Sequence, residues 1–281
     1  MNFQQSSFSG RSRVQTPDGL NIAVQEWGNP AGRPIIFIHG FSQAHLSWSR
    51  QYEGALAREF RLITYDLRGH GQSDKPVTPE FYREAHRWAG ELAAVIDLTQ
   101  AEKPVLVAWS YGGRIVSDYL AEFGSGELSG ISLVGSKIKS VPAFLGDGIP
   151  ALQKQMASDD LAVSIPATIA FLKACAETWD AEEFNVHLAF KMLVPPEVRG
   201  LLHGRPFDAD PVFKRLDLPM LFTHGTSDRI TPHAAGEHVK AITARSRLSL
   251  YGATGHCPFL EQPERFNAEL AEFVRNDCAL A

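Results

Sequence analysis

Short apolar runs rich in β-branched residues alternate with helical patterns along most of this chain, and this alternation constrains the fold more than any other feature. The runs are continuously apolar, which is typical of strands that helices cover on both faces. They occupy residues 34–40, 61–66, 104–110, 128–136, 219–225 and 246–252. Strands that alternate with helices predict βαβ units, and therefore a mainly parallel sheet of the α/β class.

Two earlier runs, at 11–16 and 20–27, are separated by Pro17-Asp18-Gly19, a turn signal that predicts an antiparallel hairpin. The expected sheet therefore has eight strands. Apolar residues recur at helical spacing between the strands. These helical patterns cover residues 45–59, 83–101, 112–123, 233–243 and 264–276.

Residues 137–217 interrupt the alternation, because they contain helical patterns and no convincing strand. The patterns cover residues 149–157, 160–176, 180–192 and 196–203. A helical insertion between two strands predicts a cap, or lid, over the edge of the sheet; the alternative is a thicker layer of core helices. We expect residues 1–136 and 218–281 to form the core domain and residues 137–217 to form the cap.

Charge and hydropathy exclude several functional classes. The chain has 27 Lys and Arg residues against 32 Asp and Glu, a formal net charge of −5. It therefore offers no strongly basic field for the phosphate backbone of a nucleic acid. No run approaches the roughly 18 apolar residues of a membrane span, and the polar N-terminus lacks the apolar stretch of a signal peptide. These features predict a mature cytoplasmic protein.

The three cysteines, Cys175, Cys257 and Cys278, are odd in number and form no C-x-x-C pair. A disulfide framework or a zinc site is therefore not expected, and free thiols fit the cytoplasm. The sequence contains neither a G-x-x-x-x-G-K-[ST] phosphate loop nor an H-E-x-x-H metal motif. We expect no cofactor and no metal, and a small molecule as the partner; the oligomeric state stays open.

The segment AWSYGG, residues 108–113, follows an apolar strand and precedes a helix. This is the context of a nucleophile elbow, a sharp turn that holds a serine in a strained backbone conformation. Strand and helix can approach only if the neighbours are small, and Gly112 and Gly113 supply that space. Ser110 is thus a candidate nucleophile, although Ala108 replaces the first glycine of the G-x-S-x-G pattern. The alternative is a serine that caps the helix.

The segment HGF, residues 39–41, directly follows another apolar strand. Its glycine lets the backbone turn and exposes N–H groups in a loop. A tetrahedral oxyanion needs two hydrogen-bond donors, and we assign them to the backbone N–H groups of Phe41 and Tyr111.

Two further loops follow strands near the end of the chain. HGTSD, residues 224–228, places Asp228 where it could orient a histidine; taken alone, a loop or capping carboxylate is the simpler interpretation. GHCPF, residues 255–259, places His256 after the last strand, and the ordinary imidazole pKa of about 6.5 suits a group that takes and returns a proton. The order Ser110, Asp228, His256 is that of Ser–Asp–His triads built on parallel sheets.

These motifs, together with YDLRGHGQSD (65–74) and GHCPFLEQPE (255–264), resemble those of the α/β-hydrolase superfamily. The resemblance covers residues 11–136 and 218–276. Within the superfamily, WSYGG is most similar to the small serine esterases and to the cofactor-free haloperoxidase and perhydrolase branch. The resemblance implies a covalent acyl-enzyme on Ser110, resolved by water that His256 activates. Haloalkane dehalogenases and epoxide hydrolases carry Asp at the nucleophile position, so the serine argues against both.

Three functions stay open at this point. The first is hydrolysis of small, largely apolar carboxylic esters or lactones, because the cap is rich in aromatic and aliphatic residues. The second keeps the triad but cleaves a carbon–carbon bond in a diketone, or forms peracids from carboxylic acids and peroxide. The third is a ligand receptor with slow or absent turnover.

Position alone suggests which side chains line the substrate pocket. The candidates are Phe41, Trp109, Tyr111, Val141, Phe144, Phe171 and Trp179. His187 and His203 lie in the predicted cap and could touch substrate, although solvated helix faces are the default expectation.

Overall fold

The computed structural model describes residues 8–278. Two stretches lie outside the described residues: residues 1–7 and residues 279–281. The first of them begins the polar segment that the sequence predicts to be a mature N-terminus. Eight strands form one sheet: β1 (Phe8–Gln15), β2 (Asn21–Gly28), β3 (Pro34–Ile38), β4 (Arg61–Tyr65), β5 (Val105–Trp109), β6 (Gly130–Val134), β7 (Met220–Gly225) and β8 (Ser246–Tyr251).

The strand order across the sheet is β1-β2-β4-β3-β5-β6-β7-β8. Strand β2 pairs antiparallel with β1 and β4, and every other pair is parallel. The predicted mostly parallel, eight-stranded sheet is therefore confirmed. The predicted hairpin is also confirmed: the Thr16 N–H donates to the Leu20 carbonyl at 2.8 Å, and the Gly19 N–H donates to the Thr16 carbonyl at 2.9 Å.

The central strands are buried on both sides. Every residue of β5, β6 and β7 is buried. Because successive side chains of a strand point to opposite faces, both faces of the sheet must be covered. This explains why the sequence shows continuous apolar runs rather than an alternation of apolar and polar residues.

Helices supply the cover. They are α1 (Ser49–Tyr52), α2 (Leu56–Glu59), α3 (Glu80–Arg83), α4 (Ala85–Thr99), α5 (Gly112–Phe123), α6 (Ile149–Met156), α7 (Leu161–Ala174), α8 (Ala181–Met192), α9 (Pro196–Leu201), α10 (Asp210–Phe213), α11 (Ala234–Ile242), α12 (Pro258–Glu261) and α13 (Pro263–Glu272). Short 3₁₀ turns occupy His45–Trp48 and Pro142–Phe144, and a π-helical turn occupies Phe273–Asp277. None of the helices in the described part of the chain is both long and apolar enough to cross a membrane.

The direction of the crossovers distributes these helices over the two faces. The connection from β3 leads to β4, which lies on the β1 side of β3 in the sheet. Each later parallel connection leads to a strand that lies nearer β8 than the strand before it. Because such crossovers are almost always right-handed, α1 and α2 lie on the opposite face from α4, α5 and α11. Helices α12 and α13 pack against α1, and α4 packs against α5.

The single helix predicted for residues 45–59 was wrong, because the structure divides it into a 3₁₀ turn, α1 and α2. A continuous helix would require the Gly54 N–H to donate to the Arg50 carbonyl. Instead, the Asn267 side-chain amide donates to that carbonyl at 3.0 Å, and the Gly54 N–H donates to Gln51. Asn267 belongs to α13, so a contact remote in sequence ends the helix.

Residues 137–217, between β6 and β7, are helical as the sequence predicts and contain α6 to α10. Within this fully described segment, the one β pairing is an isolated bridge between Lys139 and Asp208. Helix α6 packs against α7 and α9, and α10 packs against α5 and α11. Helix α10 thus joins the inserted helices to those that cover the sheet.

A buried ion-pair network ties the hairpin turn to the sheet. Arg68, which follows β4 and is fully buried, donates from Nε to the Glu91 carboxylate of α4 at 2.7 Å. Its Nη1 donates to Asp18 in the β1–β2 turn, also at 2.7 Å. Burial raises the pKa of Glu91 even with Arg68 beside it. The guanidinium therefore compensates a carboxylate that solvent cannot reach.

We predict that Arg68→Met lowers the free energy of unfolding by about 3–5 kcal/mol, because it leaves the Glu91 carboxylate buried without a counter-charge. Urea unfolding at pH 7 measures the loss, and adding Glu91→Gln to the variant should restore part of it. The matched control is Arg87→Met: Arg87 also pairs with Asp18, at 3.0 Å, but is 26% exposed, so a loss of about 0–1 kcal/mol is expected. Equal losses for the two arginines would contradict the role of burial.

Candidate active site

Ser110 lies at the tip of the turn between β5 and α5. Its backbone φ is +55°, in the left-handed region that costs a non-glycine residue about 1–3 kcal/mol. The Ser110 N–H donates to the Val134 carbonyl at the end of β6 at 2.9 Å, which holds the turn in place. A Cβ at Gly112 would lie 2.7 Å from the Ile38 carbonyl oxygen. Glycine at this position therefore lets α5 begin directly beside the end of β3.

Two backbone N–H groups flank this serine. Gly40 brings the loop after β3 against it, since a Cβ at Gly40 would lie 3.2 Å from the Ser110 Cβ. Among the described residues, neither the Phe41 N–H nor the Tyr111 N–H has a hydrogen-bond acceptor. Two unused donors beside one serine hydroxyl are what an oxyanion hole requires.

Asp228 and His256 lie in the loops that follow β7 and β8. The His256 Nδ1 donates to the Asp228 Oδ2 at 2.7 Å, and both residues are buried. The Asp228 Oδ1 accepts the backbone N–H groups of Ile230 at 2.8 Å and Thr231 at 2.9 Å. Because a carboxylate only accepts hydrogen bonds, the ring proton lies on Nδ1 and the His256 Nε2 stays able to take a proton.

The surroundings favour the charged forms of this pair. Burial alone would raise the pKa of Asp228, but His256 and the nearby His224 outweigh it and hold that pKa well below its ordinary value. Burial alone would also lower the pKa of His256, yet the Asp228 carboxylate outweighs it and raises that pKa above its ordinary 6.5. His256 is therefore a stronger base than a free imidazole.

Ser110 and His256 lie at the same edge of the sheet. Gly135 directly follows Val134, which binds the Ser110 N–H, and a Cβ at Gly135 would lie 2.9 Å from the His256 Nδ1. The hydrogen bond between the Ser110 Oγ and the His256 Nε2 is not formed within the described residues, where the imidazole bonds to Asp228. Such bonds are often long in ligand-free enzymes and tighten when substrate binds. The structure thus gathers the three predicted residues but closes only the Asp228–His256 bond.

The backbone of His256 is held by two hydrogen bonds. Its N–H donates to the Cys175 carbonyl, just after α7, at 2.8 Å. Its carbonyl accepts the indole N–H of Trp109 at 2.9 Å. Trp109 and Cys175 thereby fix the loop that carries the imidazole.

A cavity of about 570 Å³ opens beside Ser110. Three of the predicted pocket residues, Phe41, Tyr111 and Phe171, line it. Trp109 does not, because its side chain is buried behind the serine and binds the His256 loop.

The remaining predicted pocket residues, Val141, Phe144 and Trp179, also lie off the cavity wall. The Phe144 ring packs against His238, with ring centroids 5.3 Å apart. Trp179 packs against His187 at 5.2 Å and donates to a carbonyl of α7. Their prediction as pocket residues was wrong because the aromatic residues of the inserted helices mostly pack against one another or against α11.

The cavity wall contains polar residues that no motif marks. They include Arg114, Lys137, Ser140, Gln153, Lys154 and Arg205. His203 also lines the cavity, and its ring centroid lies 4.7 Å from that of Phe41. His187 is buried beside the Gln43 side chain. Neither histidine lies on a solvated helix face, the default expectation, and His203 lies where the alternative of a substrate contact requires it.

The cysteines Cys175, Cys257 and Cys278 are free and buried. Burial raises the pKa of the Cys257 thiol, next to His256, well above its ordinary value. That thiol is therefore protonated at neutral pH and a poor nucleophile. Groups of His, Cys, Asp or Glu placed to hold a metal ion are absent from residues 8–278.

With this geometry established, comparison with known proteins identifies the family. Residues 33–263 match the model of the family described as alpha/beta hydrolase fold. The chain belongs to the α/β-hydrolase family.

Solved relatives of this α/β-hydrolase include esterases. A Burkholderia cenocepacia protein, provisionally described as an aryl esterase, superimposes with a TM-score of 0.92 at 38% identity and covers 96% of this chain and 100% of its own. An esterase from Rhodococcus sp. ECU1013 superimposes with a TM-score of 0.90 at 32% identity and covers 96% and 100%. A bifunctional esterase/perhydrolase of Acinetobacter calcoaceticus is 25% identical over 94% of this chain and 99% of its own length. The esterase and perhydrolase branch that the sequence resembles is thus confirmed.

We predict that Asp228→Asn lowers the pKa of His256 in this α/β-hydrolase to below 6.5, because burial then acts without the opposing carboxylate. An NMR titration of the imidazole, assigned by comparison with His256→Ala, measures the change. Asp210→Asn is the matched control: it removes the carboxylate that lies 2.8 Å from His238 and should leave the pKa of His256 unchanged. If Asp228→Asn leaves that pKa in place, Asp228 is not the group that polarises the imidazole.

Proposed function

We propose that this α/β-hydrolase is a serine hydrolase that cleaves small, largely apolar carboxylic esters or lactones. One observation carries the proposal: the buried Asp228–His256 pair lies at the edge of the sheet that carries Ser110, and Ser110 lines one cavity together with Phe41 and Tyr111, whose backbone N–H groups are unused among the described residues. The two esterases that are 38% and 32% identical over nearly the whole chain support this reaction class.

In the proposed mechanism, the Ser110 Oγ attacks the ester carbonyl carbon while the His256 Nε2 takes its proton. Asp228 holds the imidazole and stabilises its positive charge. The N–H groups of Phe41 and Tyr111 bind the oxyanion, and one such donor is worth a factor of about 10²–10³ in rate. His256 then protonates the leaving alcohol, which leaves an acyl group on Ser110. Water then attacks the acyl carbon while His256 takes its proton, and His256 returns a proton to the Ser110 Oγ as the bond to the acyl group breaks and the acid leaves.

We further propose that residues 137–217 act as a cap over a core formed by residues 1–136 and 218–281. Three of the inserted helices reach the cavity that contains Ser110: Ile149 of α6, Phe171 of α7 and Gly200 of α9 line it. Much of this wall is apolar, and apolar linings favour hydrophobic acyl or alcohol groups.

We predict that Ser110→Ala lowers kcat toward p-nitrophenyl butyrate by a factor of about 10⁶, because it removes the nucleophile while leaving the oxyanion donors. His256→Ala should cause a loss of similar size. The matched control is His233→Ala, since His233 is 41% exposed, lies near Glu237 and does not line the cavity; its activity should be unchanged. Unfolding curves verify that each variant is folded. Retention of most activity by Ser110→Ala would rule out the proposed mechanism.

Perhydrolysis is a second candidate, favoured by the esterase/perhydrolase relative. Hydrogen peroxide would replace water, attack the acyl-enzyme and release a peracid, with the same three residues in the same roles. The two reactions are compared by supplying one acyl donor with and without peroxide and measuring acid and peracid. A larger kcat/KM for peroxide than for water would make peracid formation the main activity.

A further inference from the structure

The cavity beside Ser110 has a positively charged wall, although the chain has a net charge of −5. Its cationic residues are Arg114, Lys137, Lys154 and Arg205, and none of the described residues that line it is Asp or Glu. Arg205 is neutralised by Asp118 of α5, which accepts hydrogen bonds from both Nη atoms. Lys154 is exposed, so solvent screens its charge. Arg114 and Lys137 therefore dominate the charge inside the cavity.

Lys137 is a cation without a counter-ion. It follows Ser136, whose hydroxyl donates to the Ser110 carbonyl at 3.2 Å, so its backbone lies near the proposed nucleophile. The side chain is half-buried, and its ammonium group forms neither a hydrogen bond nor an ion pair with another described residue. Burial and the nearby Arg114 lower the pKa of Lys137 to about 8. A half-buried ammonium in this setting is stabilised when an anion binds.

Two further donors at the same wall are unused. The His203 Nε2 is buried and has no hydrogen-bond partner among the described residues, and the same holds for the Arg114 Nε. The Arg114 Nη2 is occupied, because it donates to the carbonyls of Arg205 at 2.6 Å and Pro206 at 3.0 Å. Buried donors of this kind are nearly always paired in folded proteins. Their place at the cavity wall makes both available to a ligand that accepts hydrogen bonds.

We propose that the ester substrate carries a carboxylate, which Lys137 binds as the counter-ion while His203 and Arg114 donate hydrogen bonds to it. This inference rests on the proposed ester hydrolysis and names the substrate class of the same site. The rest of the cavity wall, including Phe41, Phe171 and Ile230, is apolar. The substrate is accordingly an amphiphilic ester with one charged end.

The test compares charged esters with neutral analogues of the same shape. For a carboxylate on the acyl side, the pair is 4-nitrophenyl hemiglutarate and 4-nitrophenyl 5-oxohexanoate, in which a methyl ketone replaces the carboxylate. For a carboxylate on the alcohol side, the pair is 4-acetoxybenzoate and 4-acetoxyacetophenone. We expect kcat/KM of the wild type to favour the charged member of at least one pair by about tenfold or more, the size of a charged hydrogen bond.

Lys137 variants show whether this preference comes from the proposed contact. Lys137→Met should lower kcat/KM for the preferred charged ester by roughly 10- to 100-fold and change that of its neutral analogue by less than about threefold. Lys137→Arg should retain most of the preference. Lys173→Met is the matched control, because Lys173 is an exposed lysine of α7 that does not line the cavity; it should alter neither substrate.

A pH profile gives an independent readout. The ratio of kcat/KM for the charged ester to that for its neutral analogue should fall above about pH 8, as Lys137 loses its proton. His256 acts on both substrates, so its titration cancels in the ratio. The other charged or titratable groups of the cavity wall are Tyr111, Arg114, Lys154, His203 and Arg205. Arg114 stays charged, Arg205 is paired with Asp118, and Lys154 is exposed. Burial raises the pKa of Tyr111 and lowers that of His203 to about 4, so both stay neutral as Lys137 titrates. Lys137→Arg should abolish the decline.

Equal kcat/KM for the charged and neutral members of both pairs would overturn the inference. So would a Lys137→Met variant that loses the same activity toward charged and neutral esters. In either case, Ser110-dependent hydrolysis of the neutral esters would leave the proposed function intact. A Ser110→Ala variant that hydrolyses the neutral esters at the wild-type rate would instead reject the proposed function itself.

Discussion

The candidate site depends on the close approach of two backbones, the first turn of α5 and the end of β3. The distance is so short that a side chain at position 112 would collide with the Ile38 carbonyl. This approach forces Ser110 into a left-handed conformation and brings the loop of Phe41 against it. The proposed nucleophile and the two proposed oxyanion donors thus arise from one backbone arrangement, and the side chains of Asp228 and His256 have only to reach it.

The Asp228–His256 pair that reaches it is held by several hydrogen bonds. Asp228 accepts from two backbone N–H groups and from His256, and His224 lies 3.3 Å away. Polar networks that are fully satisfied inside a protein are rigid, because any displacement leaves a buried charge without partners. The Asp228–His256 pair is therefore preorganised.

Sequence reasoning predicted the features that depend on local pattern. Strand positions followed from apolar runs, and the turn at Ser110 followed from small residues between a strand and a helix. It failed where the outcome depended on contacts remote in sequence. Asn267 divides the helix predicted for 45–59, and Trp179 turns toward its own helical neighbours rather than toward the cavity. The charged wall was missed for the same reason, since Lys137 and His203 meet only after the inserted helices fold.

The hydrogen bond from His256 to the Cys175 carbonyl has a mechanical consequence. Cys175 ends the longest inserted helix, and two residues later the Glu177 N–H binds the Glu261 carboxylate of α12 at 2.9 Å. The inserted helices are thus tethered to the loop that carries His256. This anchorage restricts displacement of the C-terminal end of α7 relative to the loop that carries His256.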